Sequence, residues 1–164
     1  MKSKNQYAQL IKIQLAESAA TFIINQRLTE LIAKKNSPLI SANCSVEVWL
    51  KKIHSGSIEA SCKPENWKEV LVIIENELRK ILSYGFTDQE VALFKIETIS
   101  HLENAVRSMS TLESQNYLDQ ILFSVSENLP FLDAKQYESI VKPLLGELTK
   151  EEVLKEFKKY WDCD

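Results

Sequence analysis

From about residue 5 to residue 35, apolar positions recur every three or four residues. Leu10, Ile13, Ala16, Ala20, Ile23, Ile24, Leu28, Leu31 and Ile32 mark the stripe, with Leu15 and Ala19 beside it. That period predicts one long amphipathic helix, and no Gly or Pro interrupts it. Pro38 closes the run, because proline disfavours helical geometry in the residue before it. The period then changes. Ile40, Ala42, Cys44, Val46, Val48 and Leu50 fall on one side, with Ser41, Asn43, Ser45, Glu47 and Lys51 on the other. Strict alternation predicts a strand with one buried face. A second alternating run sets Ile58, Ala60 and Cys62 against Ser57, Glu59 and Ser61, which predicts a β-hairpin with its tip near residues 51–55. No Asn-Gly or Asp-Gly pair is there to fix the register.

From Pro64 onward the pattern is helical. Pro64 suits a first helical turn, and Trp67, Val70, Leu71, Ile74, Leu78, Ile81 and Leu82 form an apolar stripe. Gly85 stands where a left-handed C-terminal cap belongs. Thr87-Asp88-Gln89-Glu90 is a capping box, and Phe86 and Val91 are placed as its hydrophobic staple. Ser110-Thr111-Leu112-Glu113 offers a second box, for a helix reaching about residue 127. Pro130 breaks the chain, and Asp133-Ala134-Lys135-Gln136 begins a shorter helix expected to stop before Pro143. Leu148-Thr149-Lys150-Glu151-Glu152-Val153 repeats the staple and box for the last helix. The order is a long N-terminal helix, an antiparallel β-hairpin, then four or five helices: an α+β layout with very little sheet, in one domain over residues 1–164. A lone hairpin is marginal in water. Its edges therefore need cover, from the helices or from strands outside this chain.

Composition narrows the class. At 45% apolar and 26% charged residues the chain is ordinary for a soluble globular protein. The net charge of −3, with Lys and Glu interspersed, gives no clustered basic footprint for nucleic acid. No apolar run is long enough to span a bilayer. The basic start, Met1 to Gln6, is followed by Gln14, Glu17 and Ser18 rather than by the apolar core of a signal peptide.

Candidate chemistry is sparse. Zinc hydrolysis needs three protein ligands, an open water position and a base. The only histidines are His54, near the expected hairpin tip, and His101, in the helical Ser100-His101-Leu102-Glu103. Both read as solvated residues, and no His-x-x-Glu-His is present. Cys44 and Cys62 share the apolar face of the hairpin, where burial leaves a thiol inert. A turn centred on Ile53 would set the two opposite each other, so a cross-strand disulfide is the alternative to two packed free thiols. Cys163 is expected to be exposed near the end. No Gly-x-Ser-x-Gly elbow exists, and three glycines cannot build a phosphate-cradling loop. Glu75, Glu77, Glu90, Glu97, Glu151 and Glu152 read as helix surface or caps, and Trp67, Phe94, Tyr117, Phe123 and Phe157 as core. Trp49 falls on the nominally polar side of its strand. No catalytic, cofactor-binding or metal-binding residue is assigned.

Several segments, in order, resemble the pitrilysin/insulinase family of zinc peptidases, which carry an inverted His-x-x-Glu-His motif. They are Gln26-Arg27-Leu28-Thr29-Glu30-Leu31, Ser37-Pro38-Leu39-Ile40-Ser41-Ala42, Lys63-Pro64-Glu65, Glu77-Leu78-Arg79-Lys80, Tyr84-Gly85-Phe86-Thr87-Asp88-Gln89-Glu90 and Leu148-Thr149-Lys150-Glu151-Glu152-Val153. The likeness runs over nearly the whole chain and looks closest to large bacterial envelope members. It implies a LuxS/pitrilysin-like metallopeptidase domain lacking its flanking strands, and so a fragment. In such enzymes two related domains make each half and the first domain is catalytic. This chain resembles the inactive domain that follows it. Many members bind substrate through an Arg late in the long helix and a Tyr at the start of the next strand, in the opposite half. Those positions fall on Ala33 and Ile40 here.

The resemblance therefore implies a non-catalytic structural domain of a zinc metalloendopeptidase, which braces the catalytic domain and walls part of a substrate chamber. Zinc would belong to the parent protein and no cofactor to this chain. Its partners would be the parent's other domains and, indirectly, peptide substrate, with self-association of the isolated piece. The periplasm or cell envelope is favoured for the parent, with the cytoplasm as the alternative. The competing readings are a helical protein–protein interaction module and a catalytically dead peptidase relative.

Overall fold

The long apolar stripe folds as one helix, α1 (Lys4–Ala33), and the alternating segments fold as β1 (Leu39–Trp49) and β2 (Ile53–Cys62). A 3-10 turn, Pro64–Asn66, leads into α2 (Trp67–Tyr84), and α3 (Asp88–Ser108) ends in a second 3-10 turn, Met109–Thr111. Then come α4 (Ser114–Ser126), α5 (Ala134–Glu147) and α6 (Lys150–Trp161). The computed structural model of the protein describes residues 4–49, 53–111, 114–126 and 128–161. Among these the fold is α+β, six α-helices and one antiparallel two-stranded sheet. The chain divides into two compact units. One comprises Ala16–Val91 with Thr149–Asp164; the other comprises Met1–Leu15 with Ala92–Leu148.

In the first unit, the Ala-rich turn of α1 supplies Ala16, Ala19 and Ala20, followed by Ile23, Ile24 and Leu28, all buried. Leu39 and Cys44 of β1, Val70 and Ile81 of α2, and Val153 and Phe157 of α6 join that core. Trp161 stacks on Phe157 at 5.8 Å and its ring sits beside Gly56 of β2. There Gly56 is required, since a Cβ on it would come within 2.7 Å of the Trp161 ring. In the second unit the core is Ile11 and Leu15 of α1, Phe94 and Leu102 of α3, Val141 and Leu145 of α5, and Leu148. Lys142 bridges α5 to Glu103 of α3 at 3.3 Å, and Lys95 donates to the Gly146 carbonyl at 3.1 Å.

The three complete capping boxes form. Thr87 and Glu90 exchange bonds of 3.3 and 2.8 Å, Asp133 and Gln136 of 2.8 and 3.0 Å, and Thr149 and Glu152 of 3.3 and 3.2 Å. The staple residues Phe86, Val91, Leu148 and Val153 are buried. The expected box at Ser110 runs into Leu112 and Glu113, which lie outside the described residues.

Elsewhere the structure corrects the pattern. α1 ends through Asn36 at φ 63°, a conformation Asn tolerates, several residues before Pro38. α4 ends in a Schellman arrangement, with Asn128 at φ 53° and the Leu129 amide donating to the Ser124 carbonyl at 2.8 Å, before Pro130 is reached. α5 does not stop before Pro143 but carries it inside. Pro143 and Ser139 are exposed, so the carbonyl deprived of its partner faces water, while Val141 and Leu145 anchor the helix on both sides. Trp67, Leu71 and Phe123, expected in the core, are exposed: the inner seam of α2 runs through Val70, Glu77 and Ile81, and leaves Trp67 and Leu71 at its margin.

The hairpin is shifted from the expected register. β2 begins at Ile53, so the tip falls at residues 50–52, outside the described residues. Cys44 therefore opposes Ile58, and Cys62 opposes Leu39. Both thiols are free, and the cross-strand disulfide is ruled out by register. An irregularity between Leu39 and Ser41 also flips the phase at the strand's start, burying Leu39 and leaving Ile40 62% exposed.

Gly85 has φ 72° and ψ −149°, a region open essentially to glycine alone, rather than the left-handed helical well expected of a cap. A Cβ there would also stand 3.1 Å from a Leu154 methyl. Gly85→Ala should destabilise the chain by about 1–3 kcal/mol. Urea unfolding would measure this, and an unchanged midpoint would show that the loop re-forms at no cost.

Candidate functional site

Among the described residues, polar side chains that could carry chemistry fall into three places, none of which includes His101. His101 is exposed on α3, and the side chain of His54, like those of Trp49 and Cys163, lies outside the described residues. Among the described residues no three His, Cys, Asp or Glu side chains converge on a point. The described donors do not fit a zinc site. Ala33 and Ile40 are both exposed, the first at the last position of α1 and the second in β1.

Arg27 makes the largest polar cluster. Its Nε donates to Glu90 Oε1 at 2.6 Å and its Nη2 to Glu90 Oε2 at 2.9 Å, a bidentate pair. Nη1 reaches Glu77 Oε1 at 3.3 Å, and Nη2 also donates to the Gly85 carbonyl at 3.3 Å. The guanidinium carbon lies 5.8 Å from the centre of the Phe86 ring. Glu77 accepts further from Lys80 at 3.3 Å. Thus Glu77 is not the solvated helix surface expected, and Glu90 does more than cap α3 as expected: with Arg27 they fasten α2 and the start of α3 to α1. Burial raises the Glu90 carboxyl, but hydrogen bonds from Arg27 and Thr87 and the guanidinium's charge outweigh it and hold the group below the usual carboxylate range. The arrangement leaves no free base or acid. It is a fastening, and nothing in the sequence short of the family likeness signals it.

The second place is the seam of α1, β1 and α6. Tyr160 donates to Glu17 Oε1 at 2.5 Å, and Lys159 pairs with the nearly buried Glu156. Burial first, then the Glu17 hydrogen bond, push the Tyr160 phenol well up, so it stays a donor. Asn25 closes the β1 edge: its Nδ2 donates to the Cys44 carbonyl at 3.0 Å, and its Oδ1 accepts from the Cys44 amide at 2.7 Å. Burial pushes the Cys44 thiol up to about 11, leaving little thiolate at neutral pH.

The third place, in the other unit, is a cavity of about 550 Å³ whose walls include aromatic rings from α1, α4, α5 and the segment between α4 and α5. Aromatic content was visible in the sequence, but Tyr117 and Phe123 were expected in a closed core.

Neither a family model nor a curated protein sequence matches the chain. Solved structures do. The first half of the periplasmic protease PqqL from Escherichia coli is similar at a TM-score of 0.85 and 20% identity, over 93% of this chain and 33% of that one. The longer structure of the same protease matches at 0.70 and 21% identity, over 92% of this chain and 16% of that one. A protein from Yersinia pestis described as a predicted insulinase family protease matches at 0.74 and 18% identity, over 96% and 33%. The likeness establishes an insulinase-like fold. The present chain spans a third or less of the length of these structures.

Two outcomes follow from the geometry. Glu90 has a folded pKa below its unfolded one, so its contribution is full above about pH 4.3 and is lost as pH falls through the folded value. Glu90→Gln, which keeps the cap acceptor, should cost about 2 kcal/mol at pH 7. The deficit should shrink below pH 4 in denaturant titrations, and a deficit constant down to pH 3 would show that charge is not what Glu90 contributes. In a Cys62→Ala, Cys163→Ala background, Cys44 should react with an aromatic disulfide reagent at pH 8 only as fast as the chain opens. Modification at the rate of a free thiol would contradict its burial.

Proposed function

We propose that this chain is a non-catalytic domain of a larger zinc metalloendopeptidase of the pitrilysin type, where it braces the catalytic domain and walls part of the substrate chamber. The observation that carries the reading is the match over 93% of this chain to one third of a protease half. The sequence order of Arg27, Glu77, Gly85 and Glu90 supports it, because these resemblance-bearing residues converge on one cluster. Zinc would be held elsewhere in the parent, by a His-x-x-Glu-His segment that this sequence lacks. The parent would work in the periplasm or cell envelope, as the PqqL description supports for that protein.

In the parent, this domain's exposed apolar residues Trp67, Leu71 and Val72 on α2, and Ile40 on β1, would meet neighbouring domains. The assignment to the second domain of a half rests on the missing motif and on Ala33 and Ile40 standing where substrate-binding Arg and Tyr occur in other members.

The test uses the purified chain and its complete gene. The chain with added zinc should show no chelator-sensitive cleavage of an unfolded polypeptide, whereas the full gene product should cleave it and lose activity when its His-x-x-Glu-His glutamate is changed to glutamine. Chelator-sensitive cleavage by the chain alone, or a full gene without that motif, would overturn the proposal.

A further inference from the structure

The cavity of about 550 Å³ lies wholly among residues of the unit formed by Met1–Leu15 and Ala92–Leu148. Its volume is in the range of small-ligand sites, roughly 300–1,000 Å³. Five rings face it: Tyr7, Tyr117, Phe123, Phe131 and Tyr137. Phe123 and Phe131 are 63% and 41% exposed, so the space is open to solvent rather than sealed. Among the described residues no Asp, Glu, Lys, Arg or His lines it, although 26% of the chain is charged. A charged guest would lose part of its water there with no counter-charge from the described residues.

The polar groups in the wall are neutral and mostly uncommitted. Tyr117 donates its hydroxyl to the Met109 carbonyl at 2.9 Å. The hydroxyls of Tyr7 and Tyr137 and the amides of Gln14 and Gln120 make no hydrogen bond with the described residues. Burial raises both phenols, and for Tyr7 the neighbouring Tyr137 adds to the effect, so each remains a protonated donor at neutral pH. Aromatic walls favour an aromatic guest in offset or edge-to-face contact. Uncommitted donors and acceptors favour a guest with a polar substituent.

We propose that this cavity binds a small neutral aromatic group bearing one hydrogen-bonding substituent, of the phenol or indole kind. The inference does not depend on the peptidase reading. A free compound and a Tyr or Trp side chain of a polypeptide share that chemistry, and the experiment separates them.

The probes are p-cresol, indole, toluene, benzoate, benzylamine and N-acetyltyrosinamide, titrated by NMR into the full 164-residue chain. p-Cresol and indole should bind saturably, with shifts centred on residues 105–137, and benzoate and benzylamine should bind at least about tenfold more weakly. Tyr137→Phe should weaken p-cresol several-fold and leave toluene unchanged, a split that mere loosening of the fold would not give. Ala105→Trp, at an exposed helical position on the rim, should abolish binding of all of them. N-acetyltyrosinamide binding as tightly as p-cresol assigns the site to a polypeptide side chain, and weaker binding assigns it to a free compound. The proposal is overturned if p-cresol and indole do not saturate, if the charged probes bind equally well, or if Ala105→Trp binds as before.

Discussion

One guanidinium, that of Arg27, ties together α1, α2, the loop at Gly85 and the first turn of α3. It is bidentate on Glu90 of α3, touches Glu77 of α2, and reaches the carbonyl of Gly85 between them. Apolar burial supplies most of the driving force for such a core, but it is non-directional and would accept α2 and the start of α3 in many arrangements. Two carboxylates around one cation accept few. Glu77 is 9% exposed, so removing Arg27 would leave a buried and a partly buried carboxylate close together, with Lys80 the remaining cation paired to Glu77 among the described residues. Breaking a pair of this kind costs about 3–5 kcal/mol. Against a total stability of about 5–15 kcal/mol for a small domain, that is a large share. The special backbone of Gly85 belongs to the same device, because its carbonyl must be turned toward Arg27 while its amide still closes α2 on the Ile81 carbonyl.

How much of this was legible depended on range. The boxes at Thr87 and Thr149 were readable because capping is written within four consecutive residues, while Asp133 was read only as a helix start. The partners of Arg27 stand 50 and 63 positions away, and no local pattern announces them. They were visible only as pieces of an ordered likeness whose physical reason was hidden. The hairpin failed in its register for a different cause. Its alternation is sound from Ala42 to Val46, but Ile40 sits beyond an irregularity that reverses the faces, and the tip carries no turn residues to count from. Pro143 misled because a rule about helix interiors was applied at an exposed position, where the orphaned carbonyl has water. The aromatic cavity was hidden for yet another reason: periodicity says which residues share a face, not whether that face closes.

The hairpin shows how a two-stranded sheet, marginal by itself, is held. On one side Trp161 lies against Gly56, and Ser45 and Ser57 pair across the strands at 3.0 Å. At the outer edge of β1, Asn25 bonds both the amide and the carbonyl of Cys44. Both groups of one strand residue point the same way, so Cys44 and Ile58 form a non-hydrogen-bonded pair, and the outward groups on β1 are those of alternate residues about Cys44. The Asn25 amide does at that point what a further strand would do. Beside it runs a cleft lined by Glu17, Ser18 and Thr21 of α1 and by residues 43–46 of β1, with room along the edge. An additional strand could therefore join β1 only by displacing the Asn25 amide or by ending its pairing at Cys44. Growth of the sheet on this side is thus governed by a helix side chain as well as by the strand itself, and the same helix carries Arg27 two residues on.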